Sequence, residues 1–285
     1  AEGPQRLKYG TLRDLVVGLT VIEVDGTCIR CGGRVVKNVS GYDMVKLFHG
    51  SHGTLGIITS VTLRTLPQPP QTATMLATFV SRKQALAMAQ SLAATPLTPS
   101  AVEYLEQGAL RALRQDGAHG LAMRVEDVAA ACTRHLHDIR ALASQHEASS
   151  IHTITDYDTF WRQLADLATT YNLPQDATVL RLVVEPANLD EALAQASEHG
   201  TVTAINARAQ IGVIYARLQV RAGELNALQQ TLTQRWGHSH VLACDPGERS
   251  GITVWGKSPV GVELMRALKQ QFDPAHTLNP GRLPV

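Results

Sequence analysis

Apolar and polar positions along this chain recur at two periods, and the changes of period mark out its elements. Leu15 to Val24 is rich in Val, Leu and Ile and ends at the turn pair Asp25-Gly26, which predicts a strand entering a hairpin or tight loop. Ser40 to Phe48 reads as a helix ending near His49-Gly50, with Ser40 as N-cap and Asp43 in the place of the usual Glu or Gln of a capping box. From Leu55 to Leu66 the period is two, with Ile57, Val61 and Leu63 on one face and Ser60, Thr62 and Arg64 on the other, as expected of a half-buried strand. Pro67, Pro69 and Pro70 then interrupt the pattern, because proline has no amide for a sheet ladder and forces its predecessor extended. A domain boundary is expected there.

Beyond the prolines, strand and helix patterns alternate to the C-terminus. Strands are predicted at Ala73 to Val80, Ser100 to Leu105, Gly120 to Val125, Thr178 to Glu185, Val202 to Ala207, Val213 to Val220 and Val241 to Ala243. Helices are predicted at Arg82 to Ala94, Val128 to His146, Thr159 to Thr169, Leu189 to His199, Glu224 to Arg235 and Val260 to Phe272. Short strands between longer helices, without the long apolar runs of a parallel sheet, indicate an α+β fold with an antiparallel sheet under helices. There is no exact internal repeat and no low-complexity tract.

Composition narrows the function classes. A chain of 285 residues can bury roughly three quarters of its unfolded surface, so it folds without covalent staples. A hydrophobic fraction of 44% and a net charge of +1 disfavour disorder and electrostatic binding to nucleic acid. Cys28, Cys31, Cys132 and Cys244 are too scattered for a disulfide framework, which fits a cytoplasmic setting. No apolar run reaches the roughly 18 residues of a membrane helix, and Ala1 to Tyr9 lack the apolar core of a signal peptide.

The sharpest local feature is Gly50-Ser51-His52-Gly53-Thr54-Leu55-Gly56, with glycine at every third position between a predicted helix and a predicted strand. Bare backbone amides there, with the Ser51 and Thr54 hydroxyls, can cradle a phosphate or a cofactor's carbonyl oxygens. The same residues also suit a plain tight connection. No Gly-Lys-Ser/Thr follows, and the loop leads into a strand rather than a helix, so neither a nucleotide P-loop nor a dinucleotide fingerprint is present.

Around this loop, Lys37-Asn38-Val39-Ser40-Gly41-Tyr42-Asp43, then Leu47, Gly50-Ser51 and Gly53-Thr54-Leu55-Gly56-Ile57-Ile58-Thr59, resembles a signature of FAD-linked oxidases of the vanillyl-alcohol-oxidase (PCMH) type. Arg6 to Gly18 resembles the stretch before that family's central strand. Val254-Trp255-Gly256 and Phe272 to Arg282 resemble its closing motif. Within the family the chain is most similar to FAD-binding subunits of bacterial glycolate oxidases.

The resemblance implies a PCMH-type FAD-binding domain, in its second half, over residues 1–70. A ferredoxin-like antiparallel-sheet cap would span 71–255, and a closing helix and flavin-contacting tail 256–285. It implies FAD held along Gly41, Gly50, Ser51, Gly53, Thr54 and Gly56, with Ile57 and Ile58 near the adenosine half, Asn279 near the isoalloxazine, and Gly3 and Gly10 lining the cofactor. The family's pyrophosphate loop lies in an N-terminal subdomain without a counterpart here, so half of the cofactor site is expected to be missing and the exposed face to be adhesive. The implied activity is oxidation of a short 2-hydroxy acid, glycolate to glyoxylate, with electrons leaving through an iron–sulfur subunit. A sister FAD-containing subunit would carry the catalytic base, and any attachment to the inner face of the membrane would run through these partners. Ala204 to Gly212, where related dehydrogenases carry a metal-associated histidine motif, has no histidine, and no catalytic base or metal site is identified. The alternative is an assembly module that keeps the fold without binding flavin.

Other candidates have plainer explanations. Cys28 and Cys31 have redox-motif spacing but no thioredoxin-like helix after them. His238 and His240 share a strand face without an evident third ligand. His135 and His137 do not share a helical face and are expected on the surface. Arg208, Arg217 and Arg221 are expected to decorate a solvated strand and turn.

Overall fold

The computed structural model describes residues 3–33, 41–169, 173–174, 177–198, 200–221, 223–249 and 252–284. Lys37 to Ser40, including the expected cap, and His199 lie outside these residues. The chain forms two compact units, one from Gly10–Pro67 and Ser258–Val285 and the other from Gly3–Tyr9 and Gln68–Lys257. In chain order, α1 (Arg6–Tyr9) belongs to the second unit. The first unit then supplies α2 (Leu12–Leu15), β1 (Val16–Ile22), β2 (Cys28–Gly32), α3 (Met44–Phe48) and β3 (Ile57–Leu63). The second unit continues with β4 (Gln71–Phe79), α4 (Arg82–Ala93), β5 (Ala101–Glu106), α5 (Gln107–Ala112), β6 (His119–Asp127), α6 (Ala129–Gln145), β7 (Ser150–Thr153) and α7 (Tyr157–Leu167). It closes with β8 (Ala177–Val183), α8 (Leu189–Ser197), β9 (Thr201–Arg208), β10 (Val213–Gln219), α9 (Glu224–Trp236) and β11 (His238–Ala243), and α10 (Val262–Phe272) returns to the first unit.

The first unit is built on an antiparallel sheet of order β2-β1-β3. Its hairpin turns where the sequence places it: Gly26 takes φ +88°, and the Thr27 amide and hydroxyl donate to the Asp25 carboxylate at 2.8 and 2.9 Å. The cap of α3 is Asp43, whose carboxylate accepts from the Lys46 amide at 3.2 Å, so the helix starts later than the pattern predicts. Val16, Leu19 and Val21 of β1 pack with Val45 and Phe48 of α3 and with Leu55, and Phe272 meets Phe48 edge to face at 5.6 Å. Edge strand β3 lies outside this core. Ile57, Ile58, Val61 and Leu63 are 40–55% exposed, so β3 is not the half-buried strand its alternation predicts. The alternation is genuine, but the helical cover stops at β1. Cys28 and Cys31 fall three apart on β2, hence on opposite faces, and all four cysteines are free.

The second unit is an eight-stranded antiparallel sheet of order β11-β8-β10-β9-β5-β6-β4-β7. Numbered within each half, the order reads 4-1-3-2 and then 2-3-1-4, two ferredoxin-like βαββαβ motifs joined edge to edge through β9 and β5. The duplication lives in topology and leaves no repeat in the sequence. Alternate strand residues divide between two cores. Met75, Tyr104, Met123, Leu180, Ile205 and Ile214 face α4, α6, α8 and α9, while Leu76, Leu105 and Ala122 face α5 and α7. Helix α4 is closed by the capping box of Ser81 and Gln84. His135 is buried with Cys132, Ile139 and Ala143 on the inner stripe of α6, contrary to its expected surface position; only His137 is exposed. Spacing of three and four residues, not the pair spacing, decided its side. No helix of the described residues is long and apolar enough to cross a membrane.

A buried hydrogen bond joins α7 to β4: Trp161 Nε1 donates to Thr74 Oγ1 at 2.8 Å, with Thr74 fully buried. Thr74→Val preserves shape and leaves the indole N–H without an acceptor, an expected loss of about 1–3 kcal/mol. Urea unfolding checks this: the midpoint should fall with an unchanged slope, and an unaltered midpoint would show that the bond contributes nothing net.

Candidate cofactor site

In the first unit the glycine loop and the chain's last turn come together. After α3, the Ser51 amide donates to the Phe48 carbonyl at 3.2 Å, and the Thr54 amide and hydroxyl both donate to the Ser51 carbonyl at 3.0 and 2.7 Å. Ser51 and Thr54 are buried, so the Thr54 hydroxyl shapes the loop from within. Gly50, His52 and Gly53 take φ of +82°, +54° and +69°, which turns the backbone outward between these two anchors. Asn279, itself at φ +42°, donates its Nδ2 to the His52 carbonyl at 2.7 Å. A Cβ on Gly53 would lie 2.7 Å from that same Nδ2. Gly53 and Asn279, far apart in sequence, are thus adjacent. Two non-glycine residues in the left-handed region meeting at one hydrogen bond is the kind of local strain that collects at binding sites.

Below the loop lies a buried charge. Lys269 of α10 donates to the Thr54 carbonyl at 2.8 Å, to the Leu278 carbonyl at 2.9 Å, and to the Asp273 carboxylate. Asp273 also accepts from the Thr277 amide and hydroxyl at 3.1 and 3.0 Å and from the Leu278 amide at 2.7 Å. Burial pushes the Asp273 carboxyl up, but the bonds from Lys269, Leu278 and Thr277 outweigh it and hold it well below the usual carboxylate range. The His52 imidazole is lowered by burial and then by the Arg282 guanidinium nearby, so it is neutral at pH 7.

The other expected site residues fall into two groups, with Gly3 apart from both. Gly41 and Gly50 face open space, and Ile57 and Ile58 are exposed apolar side chains directly after the loop. Gly10 and Gly56 are constrained by the protein itself: a Cβ would meet the Asp14 carboxylate at 2.9 Å in the first case and Val21 Cγ1 at 2.6 Å in the second. Gly3 is exposed and belongs to the second unit. An exposed turn of bare backbone, flanked by two exposed isoleucines and by no acidic side chain within 50–58, suits a cofactor with polar phosphate or carbonyl oxygens and flat apolar rings.

The second unit holds a polar cluster that the sequence reading missed. Glu103 on β5, Asn206 and Arg208 on β9 and Tyr215 on β10 share one sheet face and are all buried. Asn206 Nδ2 donates to Glu103 at 3.1 Å, Arg208 Nε lies 3.5 Å from Glu103 Oε1, and Arg208 donates to the Tyr215 hydroxyl at 3.0 Å while lying over its ring. Arg208 is therefore not a solvated strand residue. Arg217 is held by the Thr169 and Asp166 carbonyls, and only Arg221 is well exposed. Glu126, bonded by Arg124, Gln5 and Tyr9, ties α1 to the same sheet, and burial followed by the Glu126 bond pushes the Tyr9 phenol up to about 12. His240 on β11 stacks edge to face on Trp255 at 5.3 Å. The available signal was a charged residue in the middle of an apolar strand, as in Ala101-Val102-Glu103-Tyr104-Leu105. Among the described residues no group of three or more His, Cys, Asp or Glu is arranged to hold a metal ion.

Burial raises the Glu103 carboxyl to about 7, against the pull of Arg208 and the Asn206 bond. Between the ordinary carboxyl range and about pH 7 the folded chain then holds a proton that the unfolded chain has released. Stability contributed here falls as pH rises through that window, by on the order of 3 kcal/mol at most. Melting curves from pH 5 to pH 8 should show the decline, and Glu103→Gln should flatten it. An equally steep decline in that variant would assign it to another group.

Residues 249–283 match the C-terminal domain of the FAD linked oxidases. Over 99% of its length the chain is 29% identical to glycolate oxidase subunit GlcD of Bacillus subtilis and 27% identical to subunit GlcE of Escherichia coli, covering 65% and 68% of those proteins. It is 27% identical to a D-lactate dehydrogenase of Archaeoglobus fulgidus, over 99% of this chain and 67% of that one. Among solved structures, alkyldihydroxyacetonephosphate synthase matches with a TM-score of 0.67 at 17% identity over 99% of this chain and 56% of that one. p-Cresol methylhydroxylase matches at 0.65 and 11% identity over 92% of this chain and 63% of that one. These structures share its α+β fold. The chain spans about two thirds of the length of the curated relatives it matches, and it is similar over that span to FAD-linked oxidoreductases, with the family's C-terminal domain matched at residues 249–283.

Proposed function

We propose that this chain is the FAD-holding part of an oxidoreductase acting on a short 2-hydroxy acid, glycolate being the first candidate. The observation that carries this reading is the meeting of the 50–56 loop with Asn279, which brings two segments of flavin-oxidase character into contact. FAD, when bound, would supply the two-electron acceptor for hydride from the substrate carbon. Bare backbone at Gly50 and Gly53, with Gly41 nearby in sequence, would receive the cofactor's polar oxygens; Ile57 and Ile58 would cover an apolar ring. Ser51, Thr54, Gly56 and Gly10 would act by holding the loop and strand in shape, and Asn279 by fixing the loop's outer turn. Gly3 remains assigned to the cofactor on resemblance alone. The similarity to proteins named as glycolate oxidase subunits supports an assembly of several chains; in this reading electrons pass to an iron–sulfur partner and a sister subunit provides the base.

The exposure of Ile57, Ile58, Val61 and Leu63 favours a second reading, a module that assembles with further polypeptide and binds no flavin. Quenching of flavin fluorescence on titration separates the two. In the first reading the protein quenches FAD, and Asn279→Gly, which removes the contact at a φ of +42° that glycine adopts freely, weakens binding roughly tenfold, equivalent to about 1.4 kcal/mol. Gly53→Val, which adds a β-branched side chain at positive φ, should weaken it further. A protein that leaves FAD fluorescence unchanged at every concentration would favour the assembly module.

A further inference from the structure

We propose that Lys269 is a positioning residue, whose ammonium, oriented by Asp273, staples the 50–56 loop to the 273–279 turn and so presets the backbone that receives FAD. The FAD clause rests on the flavin reading; the staple stands on geometry alone. Lys269 is 4% exposed and Asp273 fully buried, one helical turn apart at the end of α10. An ammonium has three donors and no acceptor, and a buried one is tolerated only when the donors are used. Here each goes to a different segment: the loop at the Thr54 carbonyl, the tail at the Leu278 carbonyl, and the helix end at Asp273. Asp273 in turn builds the tail by accepting from Thr277 and Leu278, which sets Asn279 against the His52 carbonyl. Thr54 lies two residues from His52, so a shift of its carbonyl carries the left-handed turn with it. A surface lysine would have cost less, and a buried apolar residue could not satisfy two carbonyls.

Lys269→Met keeps the apolar stem and removes the ammonium. In the full chain, hydrogen exchange at 50–56 and 274–279 should accelerate together by roughly tenfold or more, while β1 and the eight-stranded sheet stay protected. FAD affinity should weaken in step. Lys269→Met combined with Asp273→Asn leaves no buried charge and should recover melting temperature. It should not recover loop protection or affinity, because the Thr54 and Leu278 carbonyls still lack a donor. Recovery of protection and affinity in that double variant would reduce the pair to charge balance and overturn the proposal. So would unchanged exchange at 50–56 in folded Lys269→Met protein. If the unaltered chain binds no FAD, the flavin reading falls while the exchange comparison still decides the staple.

Discussion

One buried ammonium organises the first unit. Because Lys269 can shed its hydration only if every N–H finds an oxygen, its burial dictates where the Thr54 and Leu278 carbonyls and the Asp273 carboxylate must lie. The left-handed turn at His52 and Gly53, the closeness of Asn279 and the outward path of the loop all follow from those three positions. Hydrophobic contact alone, as between Phe48 and Phe272, would hold the helix near the sheet without specifying the loop.

The second unit resolves the same tension between burial and polarity differently. One face of its sheet is apolar and covered by α4, α6, α8 and α9. On the other, Glu103, Asn206, Arg208 and Tyr215 are buried together and linked across three strands by two hydrogen bonds and an ion pair, while Glu103 Oε1 and Arg208 Nε lack a hydrogen bond. Such a network is costly if any member is lost, and it leaves a carboxyl that exchanges its proton near neutrality.

Much of the architecture was legible because its causes are local. The hairpin at Asp25-Gly26, the break at the prolines and most strands and helices follow from turn chemistry and periodicity. Short elements such as β2, β7 and α5 were missed, since four to six residues carry too little period to stand out. The duplicated strand order could not be seen at all, because it is a property of pairing across the sheet.

By itself the sequence determined the fold class, most of the elements and the resemblance of two segments to FAD-linked oxidases, since periodicity, turn residues and contiguous motifs are written in neighbouring positions. Only the tertiary structure decided that Asn279 meets Gly53, that Lys269 is buried beneath the loop, that Glu103 and Arg208 form a buried pair and that β3 is exposed. Each of these depends on which distant residue removes water from a side chain, and burial is a sum over the whole folded chain that no local window contains.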